Sequence, residues 1–209
     1  LLALCDGMHD LVGIQTALRI RWGIPITRQA LHEVIDTLEE ACLLDNERSA
    51  AAMADALAAF RGAPRRIPAL AGGGYPAEPS TLGAYLDAFD PADVLLPGGL
   101  SPDGAVRGLV SPHIDYGRGG PVYRAIWQVA ADAARHADLA IIFGTDHSGG
   151  PGKITLTGQN YATPYGVLPN AREVTQAVAD ALGHEDAFEE ELHHRNEHSI
   201  EGDLVSECV

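Results

Sequence analysis

Cysteine is scarce in this chain of 209 residues, which contains three. Cys5, Cys42 and Cys208 are far apart and show neither the paired spacing of a metal-binding motif nor the density of a disulfide-stapled domain. We therefore expect a reducing compartment and predict a cytoplasmic protein. No signal peptide and no run of about 18 apolar residues is recognisable. Because the sequence begins on Leu1 inside an apolar run, we also expect an upstream part.

Positive charge is the second shortage. The chain has 14 Lys and Arg against 29 Asp and Glu, which gives a formal net charge of -15. A net negative charge of this size repels phosphate backbones and acidic membrane surfaces. We therefore expect neither nucleic acid nor a membrane as a partner.

A change of composition at residues 61–68 predicts a domain boundary, because Gly and Pro interrupt the helical pattern there. We expect a small, mainly helical module at 1–62 and an α/β domain at 63–209. In the module, Asp10 and Thr27 can each cap a helix, and an extended piece from Leu43 would complete a winged-helix-like fold. Its nine acidic and five basic side chains disfavour DNA binding. Partner docking and a purely structural role stay open.

Two histidine-bearing segments are the most informative feature of the larger domain. Residues 111–116 (Ser-Pro-His-Ile-Asp-Tyr) follow the apolar run 106–110, and residues 144–148 (Gly-Thr-Asp-His-Ser) follow the apolar run 139–143. Both runs are typical of buried parallel strands, and a helical stretch lies between them. A right-handed crossover would bring His113 and His147 to the same edge of a parallel sheet flanked by helices.

Two neutral imidazoles at one sheet edge suit a divalent transition metal, with a carboxylate completing a two-histidine, one-acid site. Iron, zinc and copper are all compatible with this pattern. Oxygen could come, as ligand or as hydrogen-bond acceptor, from Asp115, Asp146, Glu197 and Glu201.

A third cluster lies at residues 193–201, the densest group of imidazoles and carboxylates in the chain. We interpret His193 and His194 as surface groups. His198, flanked by Glu197 and Glu201, is a better candidate for acid–base catalysis.

Five motifs occur in the order found in the Memo family, also called AmmeMemoRadiSam system protein B. They are Ala-Gly-x-x-Tyr-Pro within residues 65–89, Pro-His-x-x-Tyr at 112–116, Gly-x-x-His at 144–147, Thr-Pro-x-Gly at 163–166 and Glu-His-Ser-Ile-Glu at 197–201. The chain from 65 to 201 thus resembles this family, and specifically its bacterial branch with an N-terminal winged-helix-like extension.

The resemblance implies an α/β fold related to class III extradiol dioxygenases, which open catechols with non-haem iron. His113 and His147 match the family's metal-binding histidines, and His198 matches its third pocket histidine. We therefore expect His113, His147 and His198 as metal ligands, with Fe(II) ahead of Cu(I) or Zn. We place His198 and Glu197 in catalysis. The remaining predicted pocket residues are Asp115, Tyr116, Asp146 and Glu201.

The resemblance also implies partners and a continuation of the chain. Expected partners are the companion A protein and the radical SAM protein of the same system, together with a small-molecule or peptide ligand in the cleft. After Glu201 the family continues with a segment that holds its last metal ligand, so we expect either a truncated C-terminus or a substitute ligand from Glu197, Glu201 or Cys208.

Three functions therefore compete at this point. The chain is a metal-dependent redox or dioxygenase-like enzyme, a non-catalytic metal-binding scaffold that docks partners, or a metal-free peptide-binding protein.

Overall fold

The computed structural model describes residues 1–94, 106–150 and 153–207. Backbone contacts divide the chain into two compact units, Leu1–Ala59 and Phe60–Val209. The assignment of separate roles to a module at 1–62 and a domain at 63–209 stays a prediction.

The first unit is built from capped helices around a small apolar core. Helix α1 (Leu11–Trp22) begins where the Asp10 side chain accepts a hydrogen bond from the Gly13 amide, and α2 (Arg28–Glu40) begins where Thr27 accepts from the Ala30 amide. Both caps are as predicted. The core of this unit consists of Leu4, Ile14, Leu18 and Leu31.

A third helix takes the place of the predicted wing. The Asn46 side chain accepts hydrogen bonds from the amides of Arg48 and Ser49, and α3 (Glu47–Gly62) follows directly. The residues after α2 are rich in Ala, which favours a helix over a hairpin. Leu1–Ala59 is described throughout and contains no strand, so the winged-helix expectation is not confirmed.

The second unit mixes helices with a small sheet. Its described elements are α4 (Pro79–Asp87), α5 (Tyr116–Arg135), β1 (Tyr161–Thr163), β2 (Gly166–Leu168), α6 (Arg172–Leu182), α7 (His184–Phe188) and α8 (Ser199–Glu207), with 3-10 turns at Pro91–Asp93 and Glu191–Arg195.

Helix α5 confirms the helix predicted between the two histidine segments, and it contacts α4 and α8. Its buried side includes Tyr116 and Tyr123, which lie in the main core with Tyr75, Leu82, Leu86 and Val205. Gly120 lets Phe89 reach the helix backbone, because a Cβ atom there would come within 2.5 Å of the Phe89 ring.

The two apolar runs that we expected to form parallel strands are not strands in the described structure. Residues 106–110 and 139–143 have no assigned ladder, and large side chains in them are exposed, with Val110 at 91% and Phe143 at 83%. An extended segment becomes a strand only when a neighbour supplies hydrogen bonds. The parallel sheet is therefore not confirmed.

The described sheet is instead the antiparallel pair β1–β2. The predicted turn Thr-Pro-Tyr-Gly joins these two strands. Residue Arg66 adds a parallel bridge to Tyr161, since the Arg66 amide donates to the Asn160 carbonyl and the Ala162 amide donates to the Arg66 carbonyl. This pairing places the Arg66 side chain beneath the segment that leads into α8.

Candidate functional site

Three imidazole rings meet in the second unit. His113 precedes α5, His147 follows residues 139–143, and His198 directly precedes α8. The ring centroids are 5.3 Å apart for His113 and His147, 4.8 Å for His147 and His198, and 6.4 Å for His113 and His198. The fold thus brings together the three histidines that the sequence singles out.

The Glu197 carboxylate organises two of these histidines. It accepts a hydrogen bond from Nδ1 of His147 at 3.0 Å and from the amides of His147, His198 and Ser199 at 3.1, 2.8 and 2.9 Å. A neutral His147 that donates through Nδ1 keeps the lone pair of Nε2 free for a ligand. Ligand atoms of His147, Glu197 and His198 lie within 4.8 Å of one another.

The same contacts fix the charge of Glu197. Burial alone would raise the pKa of its carboxyl group, but hydrogen bonds from Ser199, His147 and His198 outweigh burial and lower this pKa to about 2. Glu197 is therefore ionised at neutral pH and places a negative charge beside the imidazoles.

Ser199 ties the His147 loop to the start of α8. Its hydroxyl accepts a hydrogen bond from the Thr145 amide at 2.9 Å and donates to the Thr145 carbonyl at 3.1 Å. Gly144 permits this approach, because a Cβ atom at that position would lie 2.5 Å from Ser199 Oγ and 2.6 Å from Ile200. The glycine of the Gly-x-x-His motif thus has a packing role.

A fully buried ion pair between Arg66 and Glu201 supports the segment that leads into α8. The Arg66 guanidinium also donates to the carbonyls of His194 and Glu197, at 2.8 and 2.6 Å. Glu201 accepts further hydrogen bonds from the Leu70 amide at 2.9 Å and from the Tyr75 hydroxyl at 2.5 Å. Arg66 was not predicted as a site residue. Its only signal in the sequence is its position directly before the apolar residues 67–71.

The other predicted pocket residues have mainly scaffold contacts. Asp115 caps α5 and pairs with Arg118 at 2.5 Å. The Tyr116 hydroxyl donates to the Gly202 carbonyl at 2.5 Å, and Glu201 is held as described above. Their roles at a metal or a substrate stay predictions, and Cys208 lies outside the described residues.

The expectation that His193 and His194 are surface groups is wrong, since both are half-buried and hydrogen-bonded. Nδ1 of His193 lies 2.9 Å from the Asp146 carboxylate. His194 bonds the Tyr161 hydroxyl at 2.6 Å and the Thr155 carbonyl at 3.1 Å. Burial lowers the pKa of His194, so this ring is neutral at pH 7.

The chain matches a known protein family. The family model described as Memo-like protein matches residues 66–205. This match covers more than half of the chain, including all three converging histidines, so the chain belongs to the Memo-like family.

Curated relatives carry the same family name. A MEMO1 family protein of Aquifex aeolicus is 25% identical over 201 residues, which cover 96% of this chain and 51% of the relative. A MEMO1 family protein of Methanopyrus kandleri is 32% identical over 146 residues, 66% of this chain and 50% of the relative. One of Methanosarcina barkeri is 29% identical over 140 residues, 66% of this chain and 47% of the relative. The chain spans about half the length of these relatives.

No solved structure matches the chain significantly. None of the helices within the described ranges combines the length and the apolar character needed to cross a bilayer.

Proposed function

We propose that this protein binds a transition metal through His113, His147 and His198, with Fe(II) preferred over Cu(I) or Zn. The observation that carries the proposal is the convergence of the three imidazoles. A metal–nitrogen bond of about 2.0–2.1 Å with near-tetrahedral angles separates the ring centroids of shared ligands by roughly 5 Å. The separations of 4.8 to 6.4 Å found here fit such a site.

Glu197 adds the carboxylate that favours Fe(II) in this proposal. Its ionised oxygens offset the charge of a cation, and its hydrogen bond to His147 Nδ1 selects the tautomer with a free Nε2. The three backbone amides that it accepts from hold the carboxylate in one position. A fixed acceptor of this kind orients a ligand before the metal arrives.

The metal would supply the one-electron chemistry of non-haem iron, as in a dioxygenase-like enzyme acting on a small oxidisable molecule such as a catechol. If His198 does not itself bind the metal, it would hold or accept a proton in that reaction, because its Nδ1 lies 3.4 Å from the Glu197 carboxylate.

Metal titration of the anaerobically purified chain tests the binding site. We expect tight Fe(II) uptake that is lost or weakened at least tenfold in His113→Ala and His147→Ala, and weakened about 10–100-fold in Glu197→Gln, because the orientation of His147 is then lost. The matched control is His136→Ala, which removes an exposed histidine that lies near a carboxylate, 3.6 Å from Asp132. Unchanged Fe(II) affinity in His113→Ala and His147→Ala would overturn the proposal.

Turnover of a catechol under O₂ separates an enzyme from a non-catalytic metal-binding scaffold. In the enzyme, His198→Ala should lower turnover by roughly 10²–10⁴-fold. Retained metal with lost turnover assigns His198 as an acid or base, whereas lost metal assigns it as a ligand. Metal uptake with no turnover in the parent chain favours the scaffold.

A further inference from the structure

A cavity of about 510 Å³ lies between helix α5 and the two apolar runs at 106–110 and 139–143. Small side chains of α5, among them Ala130 and Ala134, leave this space open. The volume falls in the range of about 300–1,000 Å³ that is usual for small-molecule sites. Among the described residues that line the cavity, none is a histidine of the proposed metal site. The cavity is therefore a candidate ligand site separate from the three imidazoles.

Three polar side chains line this cavity, and each has a buried atom without a hydrogen bond. The atoms are Ser111 Oγ, the indole Nε1 of Trp127 and the carboxyl Oδ1 of Asp203. All three are screened from solvent, and none has a hydrogen-bond partner within the described part of the chain. A buried polar atom without a partner is costly. This part of the cavity therefore favours a guest that supplies the missing hydrogen bonds.

The three groups lie close to one another, so one guest can reach them together. Burial raises the pKa of the Asp203 carboxyl group more than the neighbouring Ser111 and Trp127 side chains lower it. Their proximity thus influences Asp203 without satisfying its Oδ1 atom. The unmet hydrogen bonds form one polar end in an otherwise apolar cavity.

The chemistry of these atoms selects the class of guest. A carboxylate oxygen accepts a hydrogen bond, an indole N–H donates one, and a serine hydroxyl does either. A single hydroxyl group on a ligand also donates and accepts, so it satisfies Asp203 and Trp127 at once. From this combination of a polar end and apolar walls we infer a binding site for an uncharged, mainly apolar molecule that carries a hydroxyl group.

Charged ligands of similar size fit this end of the cavity less well. A carboxylate ligand would face the Asp203 carboxyl group in a chain whose formal net charge is -15. An ammonium group has no acceptor, so it would leave the Trp127 N–H without a partner. The apolar walls, which include Leu109 and Ile142, favour a hydrocarbon body for the same ligand.

Binding of cyclohexylmethanol to the metal-free chain tests this inference. Ligand-detected NMR in the presence of a chelator measures affinity, and Trp127 fluorescence in a Trp22→Phe background reports contact with the cavity, because the chain has two tryptophans. We expect saturable binding of the alcohol that changes the Trp127 emission. Cyclohexanecarboxylate, which has a similar body and a negative charge, should bind more weakly by about tenfold or more.

Comparison with methylcyclohexane, which lacks the hydroxyl group, isolates the polar end. In Asp203→Leu the ratio of alcohol affinity to hydrocarbon affinity should fall by about tenfold or more, because the hydroxyl loses its acceptor. The matched control is Asp132→Leu, a change at a carboxylate of α5 that is 88% exposed, which should leave the ratio nearly unchanged. Ala134→Phe fills the cavity and should abolish binding of both molecules.

Several outcomes would overturn the inference. One is the absence of saturable alcohol binding in the parent chain, which would mean that water or direct bonds among Ser111, Trp127 and Asp203 satisfy these atoms. Others are an unchanged affinity ratio in Asp203→Leu, and undiminished binding in an Ala134→Phe variant whose α-helical circular dichroism matches that of the parent.

This inference and the proposed metal site fail separately. His147→Ala removes a proposed metal ligand that does not line the cavity, so it should leave alcohol affinity nearly unchanged while Fe(II) uptake is lost. Failure of alcohol binding would likewise leave Fe(II) uptake by His113, His147 and His198 intact.

Discussion

The two loops that carry His113 and His147 follow similar apolar runs but are held very differently. The His147 loop is bonded to the start of α8 through Ser199 and Glu197, with contacts from both its backbone and its imidazole. The His113 loop reaches the same place through Asp115, which caps α5, and through a hydrogen bond from Tyr123 to the Ile114 carbonyl at 3.2 Å. Within the described residues, the His113 ring itself has no hydrogen bond.

This difference shows what assembles the site. A parallel sheet was expected to bring the histidines to one edge, yet the described contacts come from the turn at residues 197–199 and from the Arg66–Glu201 ion pair packed against it. His147 and His198 are therefore fixed as a pair, and His113 is positioned by the helix that follows it.

The largest effect should come from the buried Arg66–Glu201 ion pair, which supports the turn that holds His147 and His198. Arg66→Met leaves Glu201 charged, fully buried and without its cation, and it also releases the carbonyls of His194 and Glu197. We expect the free energy of unfolding of the second unit to fall by about 3–5 kcal/mol.

Urea unfolding followed by Trp127 fluorescence measures this change, in a Trp22→Phe background where Trp127 is the remaining tryptophan of the two. The control is Lys153→Met, which breaks exposed contacts and should cost no more than about 1 kcal/mol. Equal losses in the two variants would contradict a structural role for the Arg66–Glu201 pair.

Much of this arrangement could be read from local sequence patterns. The caps at Asp10 and Thr27, the helix α5 and the turn between β1 and β2 depend on neighbouring residues, so sequence predicts them. The family assignment is also confirmed.

The remainder depends on contacts between residues distant in sequence. Arg66 and Glu201 are 135 positions apart, and no local pattern announces that they pair. The predicted wing is not confirmed, because Leu43 and Leu44 suggest an extended piece, whereas Asn46 caps another helix. Strand formation at 106–110 and 139–143 likewise needs a hydrogen-bonding neighbour. The hydrophobic pattern of these residues does not show whether such a neighbour is present.

A smaller effect should appear in the response of stability to acid. Because the folded pKa of Glu197 is lowered from 4.5 to about 2, folding stabilises the ionised carboxylate. This contribution is fully present above pH 4.5 and is lost as the pH falls towards 2. We expect it to amount to about 1–2 kcal/mol once solvent screening is allowed for.

Unfolding of the metal-free chain, measured with a chelator between pH 2 and pH 6, tests this sign. Glu197→Gln should flatten that part of the stability curve, whereas Glu189→Gln, a change at an exposed carboxylate, should leave the slope nearly as it is. A slope that persists in Glu197→Gln would mean that other carboxylates carry the acid sensitivity.

The smallest effect should come from the apolar runs themselves, although their composition marks them as core strands. Val110 is 91% exposed and Phe143 is 83% exposed, so Val110→Thr and Phe143→Ser remove little buried apolar surface. We expect each to change the free energy of unfolding by less than about 0.5 kcal/mol, whereas Leu82→Ala, at a fully buried residue, should cost about 2–5 kcal/mol. Hydrogen exchange adds a backbone measurement. The amides of 107–110 and 140–143 should exchange much faster than those of α5, because helical amides are bonded, whereas the amides of the two runs have no backbone partner among the described residues. A cost above about 2 kcal/mol together with slow exchange would show that a strand from another part of a longer chain, or from a second copy, covers both runs in solution. In that case the sheet, and not the turn at 197–199 alone, would hold the two histidine loops together.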